Sequence, residues 1–424
     1  METLRGLCAL RGNVIFAPSR GELTAMRGGC VITSDGIVRS VSPVLPDGWG
    51  GEIVDFGDAL ITPSFSDLHL HAPQFPMLGL GMDLQLIDWL GSYTFPVESR
   101  FKDTAYARGH YSRLAHELVR RGTTRVSMFS SIHREATHVL IEELERVGVT
   151  GYVGKVNMDR NGPPELTEDT EESARETIRF IDECAKYEHI APAITPRFTP
   201  SCSDDLMAGL GKIATEHPGI AIQSHMSENV LEVAWVKELC PSCEQYWQTY
   251  ERCSLFGSHT VLAHCVHSDE RERAAMRDAG VWAAHCPDSN TNLQSGIAPV
   301  RRMLEEGVHV GLGSDIAGGA KLSMNDVATE AIRVSKLRWL ATDKAEAFLT
   351  VREAFWLATS AGQGFFGAAP GFGAGEPLHA IVWYDAELGD TSELTLEERM
   401  ERTLYLGGPS TIRAVYSAGR RIDI

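Results

Sequence analysis

Short apolar runs alternate along the middle of the chain with stretches whose apolar residues recur every three or four positions. Eight runs stand out: 65–71, 123–129, 151–156, 191–198, 220–225, 260–264, 280–285 and 308–315. Each has the length and composition of a buried strand, and the stretches between them have the period of an amphipathic helix. The clearest helix is Glu171–Tyr187, with Ala174, Ile178, Ile181 and Cys184–Ala185 on one stripe and Thr167 or Asp169 as candidate N-cap. Arg271–Ala279 and Val300–Glu306 read the same way, and the charged stretch Thr391–Arg402 reads as a surface helix. Eight β/α alternations predict an α/β fold, a parallel (β/α)8 TIM-like barrel.

The two ends follow a different pattern. Val31–Val41 is two β-rich runs joined at Asp35-Gly36, a hairpin signal, and prolines and glycines between Pro43 and Gly51 mark a loop. Leu378–Tyr384 and Ile412–Tyr416 are again strand-like, the second turning at Ser-Ala-Gly into Arg420-Arg-Ile. Neither end is long enough for a core of its own. The expectation is one small discontinuous β-sandwich domain from residues 1–60 plus 370–424, with the barrel spanning 61–369.

Composition narrows the function. The 424 residues are 43% hydrophobic and 23% charged, in the globular range, with net charge −18 and pI near 5.3. That acidity argues against nucleic-acid or anionic-membrane partners and for a small-molecule substrate. The first residues, Met1-Glu-Thr-Leu-Arg-Gly, lack the basic and apolar regions of a signal peptide, and no apolar run reaches the ~18 residues of a membrane span. Nine irregularly spaced cysteines suit reduced thiols in a cytoplasmic protein, and Cys240-Pro-Ser-Cys243 reads as a loop.

Chemistry concentrates at the predicted strand ends. In Ser66-Asp-Leu-His-Leu-His, His69 and His71 alternate on a strand and face one side, with Asp67 expected on that same face. Two buried imidazoles on one face are costly unless paired, and a divalent metal is the usual partner. The fifth run ends in His225, followed by Glu228; the sixth ends in His264; the eighth ends in Asp315, with Gly318 and Gly319 beyond it. Barrel active sites lie at this rim, and three imidazoles with one carboxylate leave room for water on Zn2+ or Fe2+.

Local sequences carry a resemblance. SDLHLHAPQF from Ser66, WLGSYTFPVESRF from Trp89, TPRFTPSCS from Thr195, QSHMSEN from Gln223, AHCPDSN from Ala284 and GLGSDIAGG from Gly311 resemble the metal-dependent amidohydrolase superfamily, in its guanine-deaminating branch. Cys265-Val266 after His264 and His379 near the C-terminus depart from that pattern. The resemblance implies one Zn2+ (Fe2+ as the alternative) on His69, His71, His225 and Asp315, with water as co-substrate. Asp315 takes the water's proton, Glu228 protonates the ring and then the leaving amino group, and His264 holds the attacking oxygen. It also implies a homodimer. For a purine, Arg197 offers donors to O6 and N7, Gln74 both a donor and an acceptor, Phe198 a stacking face, and Trp89 with Leu90 the opposite wall. His133, His267 and His285 are read as core or supporting residues. The competing readings are a deaminase of a pterin, another oxopurine or a triazine, and a catalytically silent scaffold.

Overall fold

The structure, a computed structural model, describes residues 2–424. The barrel strands are β1 (Phe65–His71), β2 (Thr123–Phe129), β3 (Thr150–Gly154), β4 (Ile190–Pro196), β5 (Ala221–Met226), β6 (Thr260–His264), β7 (Trp282–His285) and β8 (His309–Leu312). They pair in sequence order, all parallel. No ladder joins β8 to β1. Beyond the end of β8 the gap is closed by the Asp315 N–H donating to His69 O at 2.8 Å and the His71 N–H donating to Ile316 O at 3.1 Å. The two bonds that close the ring thus also fix three of the predicted site residues, His69, His71 and Asp315.

Small residues fill the barrel: Ala193, Ala221, Val261, Ala263 and Ala284 meet Leu68, with Phe365 packed among them. Above them Gln223 accepts from Ser127 Oγ (2.8 Å) and donates to Met128 O and Thr195 Oγ1 (2.9 and 3.0 Å). A buried amide with those partners carries no desolvation debt. Leu68 therefore faces inward. The β1–β2 register shifts between Asp67 and Leu70, after which the histidines take the inner face. Asp67 does not join them, contrary to the strict alternation expected, and binds the loop after β8 instead.

Helices α1 (Thr104–Arg120), α2 (Arg134–Val147), α3 (Thr170–Glu183), α4 (Asp204–Glu216), α5 (Val230–Leu239), α6 (Glu270–Ala279), α7 (Val300–Glu306) and α8 (Met324–Ala341) flank the strands. Asp169, not Thr167, caps α3. The expected stripe on α3 is displaced: Ile178 is exposed, and Ser173, Thr177 and Phe180 are buried. Asn157 explains the rotation, because its Nδ2 donates to Ser173 Oγ and Thr177 Oγ1 at 2.9 and 2.8 Å.

The chain ends form one continuous eight-stranded mixed sheet drawn from both termini. The hairpin lies where expected, Thr24–Ser34 and Ile37–Ser42 joined through Asp35 and Gly36, both at positive φ. The late helix is Leu396–Leu406, capped by Thr395, starting five residues and ending four residues further on than the charge pattern suggested. Nor is it only a surface helix. Arg399 is 1% exposed, donating to both Asp385 oxygens (2.8 and 2.7 Å) and to Asp58 Oδ1 and O (2.9 and 2.6 Å). One guanidinium thereby ties the N-terminal strand 52–63 to the C-terminal segment. Among the described residues no helix is long and apolar enough to cross a membrane.

Candidate active site

Four side chains converge at the C-terminal rim of the barrel. His71 Nε2 and His225 Nε2 lie 3.1 Å apart, and Asp315 Oδ1 lies 3.2 Å from His69 Nε2 and 3.5 Å from His71 Nε2. Four ligands held tetrahedrally at ~2.05 Å from zinc would stand ~3.3 Å apart. The donor set and its spacing fit a divalent ion. His225 Nδ1 donates to Arg197 O at 2.6 Å, which leaves its Nε2 bare and turned inward. Burial holds the His69, His71 and His225 imidazoles below their ordinary range, so they remain neutral with lone pairs free. His69 Nε2 is buried without a hydrogen-bond partner, a costly state that an ion would relieve.

Asp315 itself lies past the end of β8, not on the strand. Asp67 holds that loop, accepting from Ser314 N–H at 2.9 Å and from Ser314 Oγ. The Gly319 N–H donates to Asp315 O at 2.7 Å, and a Cβ on Gly319 would overlap Ser314 O. Asp315, His264, Cys265 and Ser227 all have positive φ, conformations non-glycine residues adopt reluctantly. Their clustering shows how firmly the surroundings impose the rim's shape.

Two carboxylates flank His264. Its Nε2 lies 3.5 Å from Glu228 Oε2 and 3.8 Å from Asp315 Oδ2, while its Nδ1 donates to Asn290 Oδ1 at 2.8 Å. Their environments push them apart. Burial raises the Asp315 carboxyl, but the close approach of His69 and the neighbouring His264 more than offset it and hold it at about 2. Glu228 is pushed well above the carboxylate range by burial, then by the charges of Glu232 and Asp315. One stays ionised and the other holds its proton, the arrangement that separates a base from an acid. Glu228 also precedes Asn229, the N-cap of α5, and so is not a first-turn carboxylate. That role belongs to Glu232, which accepts from the Glu228 and Asn229 N–H groups and from Tyr246 OH.

Over this cluster opens a cavity with about 390 Å³ of space between atoms, counted out to the open solvent at its mouth. Leu86, Trp89, Leu90, Phe198 and Leu293 supply its apolar walls, and Gln74 and Arg197 its polar wall. Trp89 is 2% exposed and donates Nε1–H to Leu80 O at 3.1 Å, so one face serves the cavity while the rest packs. Arg197 pairs with Glu98 through Nη1–Oε2 (2.5 Å) and Nη2–Oε1 (3.1 Å). Gln74 donates from Nε2 to Glu98 Oε1 at 2.9 Å and accepts from the Ala317 N–H at 2.9 Å.

The sequence model of the amidohydrolase family matches residues 60–385, three-quarters of the chain. This chain belongs to the amidohydrolase family. Among curated relatives, guanine deaminase of Dictyostelium discoideum is 37% identical over 87% of this chain and 84% of its own length. Guanine deaminase of Mus musculus is 38% identical over 85% and 82%. A solved structure of guanine deaminase from C. acetobutylicum, with guanine bound in its active site, superposes with a TM-score of 0.96 at 41% identity. That match covers 99% of this chain and 100% of the other.

In this amidohydrolase every residue to which the sequence assigned a catalytic, metal-binding or substrate-binding role reaches one cavity or its floor. His71, His225, His264, Asp315, Glu228, Gln74, Arg197, Phe198, Trp89 and Leu90 line it, and His69 sits beneath with the other imidazoles. His267 supports the rim, donating from Nε2 to Ser295 O at 2.9 Å. His379 bridges barrel and terminal sheet: its Nε2 accepts from the Ala418 N–H, so Nδ1–H donates to Thr124 Oγ1 at 2.8 Å. Sequence reasoning missed Glu98, Asn290 and Glu232. Two of these were legible in principle, since a buried arginine requires an anion and a metal-edge histidine requires an acceptor for its second nitrogen.

Proposed function

We propose that this protein is a guanine deaminase, converting guanine and water to xanthine and ammonia. The observation that carries this is the convergence in one small cavity of a neutral-histidine/carboxylate cluster, an acid–base carboxyl pair and a wall of hydrogen-bond donors. The relatives' activity and the related enzyme with guanine in its active site support the same reading.

The fitting ion is Zn2+, one per chain, with Fe2+ the alternative, on His69, His71, His225 and Asp315. The chemistry it supplies there is Lewis-acid activation of the attacking water. Asp315, kept ionised, accepts the proton that water gives up. Its Oδ2 and Glu228 Oε2 both face His264 Nε2, so the attacking oxygen is held between the base, the imidazole and the acid. Glu228 delivers its proton to ring N3 as the C2–O bond forms, then relays the proton held on Asp315 to the amino nitrogen as the C2–N bond breaks, and the remaining hydroxyl proton returns to Glu228 as C2=O forms. Arg197 and Gln74 donate to the oxo edge, which keeps C2 over the histidines. Phe198 on one face and Trp89 with Leu90 on the other hold the ring flat and exclude water.

Free thiols at all nine cysteines fit a reducing compartment, and we place the protein in the cytoplasm, acting on free base as a homodimer. The test is a panel of guanine, adenine, other aminopurines and aminopterins with zinc-loaded protein, followed by ammonia release. Guanine should exceed adenine by at least ~10²-fold in kcat/KM, because an amino group facing Arg197 leaves donors opposed. Preferred turnover of adenine or a pterin would refute the substrate assignment.

A further inference from the structure

The two side chains that face the oxo edge are held from behind by a third that never enters the cavity. Glu98 is 3% exposed, and its carboxylate accepts from Arg197 Nη1 and Nη2 and from Gln74 Nε2. It sits at the end of the short helix Phe95–Glu98, just after the segment that supplies Trp89 and Leu90. Phe95, in the same helix, lies against the guanidinium, 5.3 Å from Arg197 Cζ to the ring centre. We propose that Glu98 is the positioning residue that makes the polar wall of the pocket donor-only, and so sets specificity for a neutral ring with acceptors on that edge. This rests on the guanine-deaminase reading.

The argument follows the hydrogen-bond inventory. A carboxylate only accepts, and an amide is an acceptor at one end and a donor at the other. With Glu98 on one side and the Ala317 N–H on the other, the Gln74 amide has one satisfied orientation: Nε2 towards Glu98 and Oε1 towards Ala317. Its second amide hydrogen is what remains for a ligand, so the free acceptor expected from the sequence is absent from this wall. Arg197 spends its outward fork on Glu98 in the same way, and its other N–H groups are left for the cavity it lines. Glu98 also cancels the arginine's charge, so the wall suits a neutral base rather than an anion. Gln74 and Arg197 meet at this one carboxylate, carried by the helix that follows the Trp89–Leu90 wall, and both keep their geometry through it.

Glu98→Gln preserves size and removes the charge and half of the acceptor capacity. The experiment compares wild type and variant for guanine turnover and for competitive inhibition by two probes, 6-oxopurine and unsubstituted purine. In Glu98→Gln we expect kcat/KM for guanine to fall ~10²-fold, chiefly through KM, and the Ki of 6-oxopurine to rise at least ~10-fold. The Ki of purine, which offers no oxo acceptor, should stay within ~3-fold. Zinc content should be unchanged. Glu98→Asp keeps the charge but withdraws it by one methylene, so it should give the same ranking with smaller losses and serves where Glu98→Gln folds poorly. Equal weakening of both probes would make Glu98 merely structural and overturn the proposal, as would an unchanged KM for guanine. Wild type that binds 6-oxopurine over purine yet fails to turn over guanine would instead overturn the functional reading, leaving the Ki comparison to decide Glu98.

Discussion

Glu228→Gln separates chemistry from folding at a single atom. Glu228 is buried, and its near contacts are long: Ser295 Oγ at 3.4 Å and His264 Nε2 at 3.5 Å. Glutamine can keep both, so little packing or hydrogen bonding is lost. Proton transfer is lost entirely. General acid–base catalysis is worth ~10²–10⁴-fold, or ~2.7–5.5 kcal/mol of barrier, so kcat for guanine should fall by at least ~10²-fold with zinc content unchanged. Stability should move the other way. The native Glu228 carboxyl is raised above its unfolded value, by burial first and by Glu232 and Asp315 next. Below the ordinary carboxylate pKa both states hold the proton; as pH rises past it, the unfolded state ionises first, and stability declines until the native pKa is reached. Glutamine has no such decline. Thermal melts of zinc-free protein at pH 5 and pH 8 should show the variant gaining on wild type at the higher pH. Wild-type turnover should also lose activity as pH rises through the Glu228 pKa, and the residual activity of the variant should lack that limb. A variant with turnover within ~10-fold of wild type would refute the acid assignment, reducing Glu228 to a neutral wall of the site.

Glu272 is buried against Ser227 Oγ at 3.1 Å, and burial raises its carboxyl to about 7. By the same sign rule, wild type loses stability between pH ~4.5 and ~7, and Glu272→Gln should recover up to ~3 kcal/mol at pH 8 and nothing at pH 4, read by denaturant unfolding. Asn290→Ala removes the acceptor of His264 Nδ1, so kcat should fall ~10–100-fold while zinc content holds; an unaltered kcat would show that His264 needs no orienting partner. Arg399→Met strands the buried Asp385 carboxylate and should cost ~3–5 kcal/mol in unfolding free energy, with kcat of the folded fraction unchanged; a loss below ~1 kcal/mol would mean that the pair does not join the chain ends.

The parts of the fold that were legible in the sequence are those governed by local pattern. Apolar runs placed all eight barrel strands, and Asp35-Gly36 placed the hairpin, because strand burial and a turn requiring positive φ leave marks on adjacent residues. The His-x-His pair and the strand-end His225 and His264 were visible for the same reason. What escaped depends on contacts distant in sequence. The rotation of α3 is set by Asn157, the burial of Arg399 by Asp58, and the departure of Asp67 from the histidine face by a register shift near the end of β1. Each is a polar group whose partner lies in another element, and no periodicity reports that. Glu98 lay in plain view within a quoted motif, yet only the folded chain shows its carboxylate against Arg197 and Gln74.

The central claim is that the histidine–aspartate cluster under the cavity serves guanine deamination by holding one divalent ion. The direct measurement is to strip the protein with a chelator, add Zn2+ in fractional equivalents, and record bound metal and xanthine formation on the same samples. The account predicts no turnover without metal, a linear rise to one equivalent per chain and a plateau beyond it, with His71→Ala retaining neither metal nor activity. Full guanine turnover in the stripped protein, or activity that does not track the first equivalent, would contradict it.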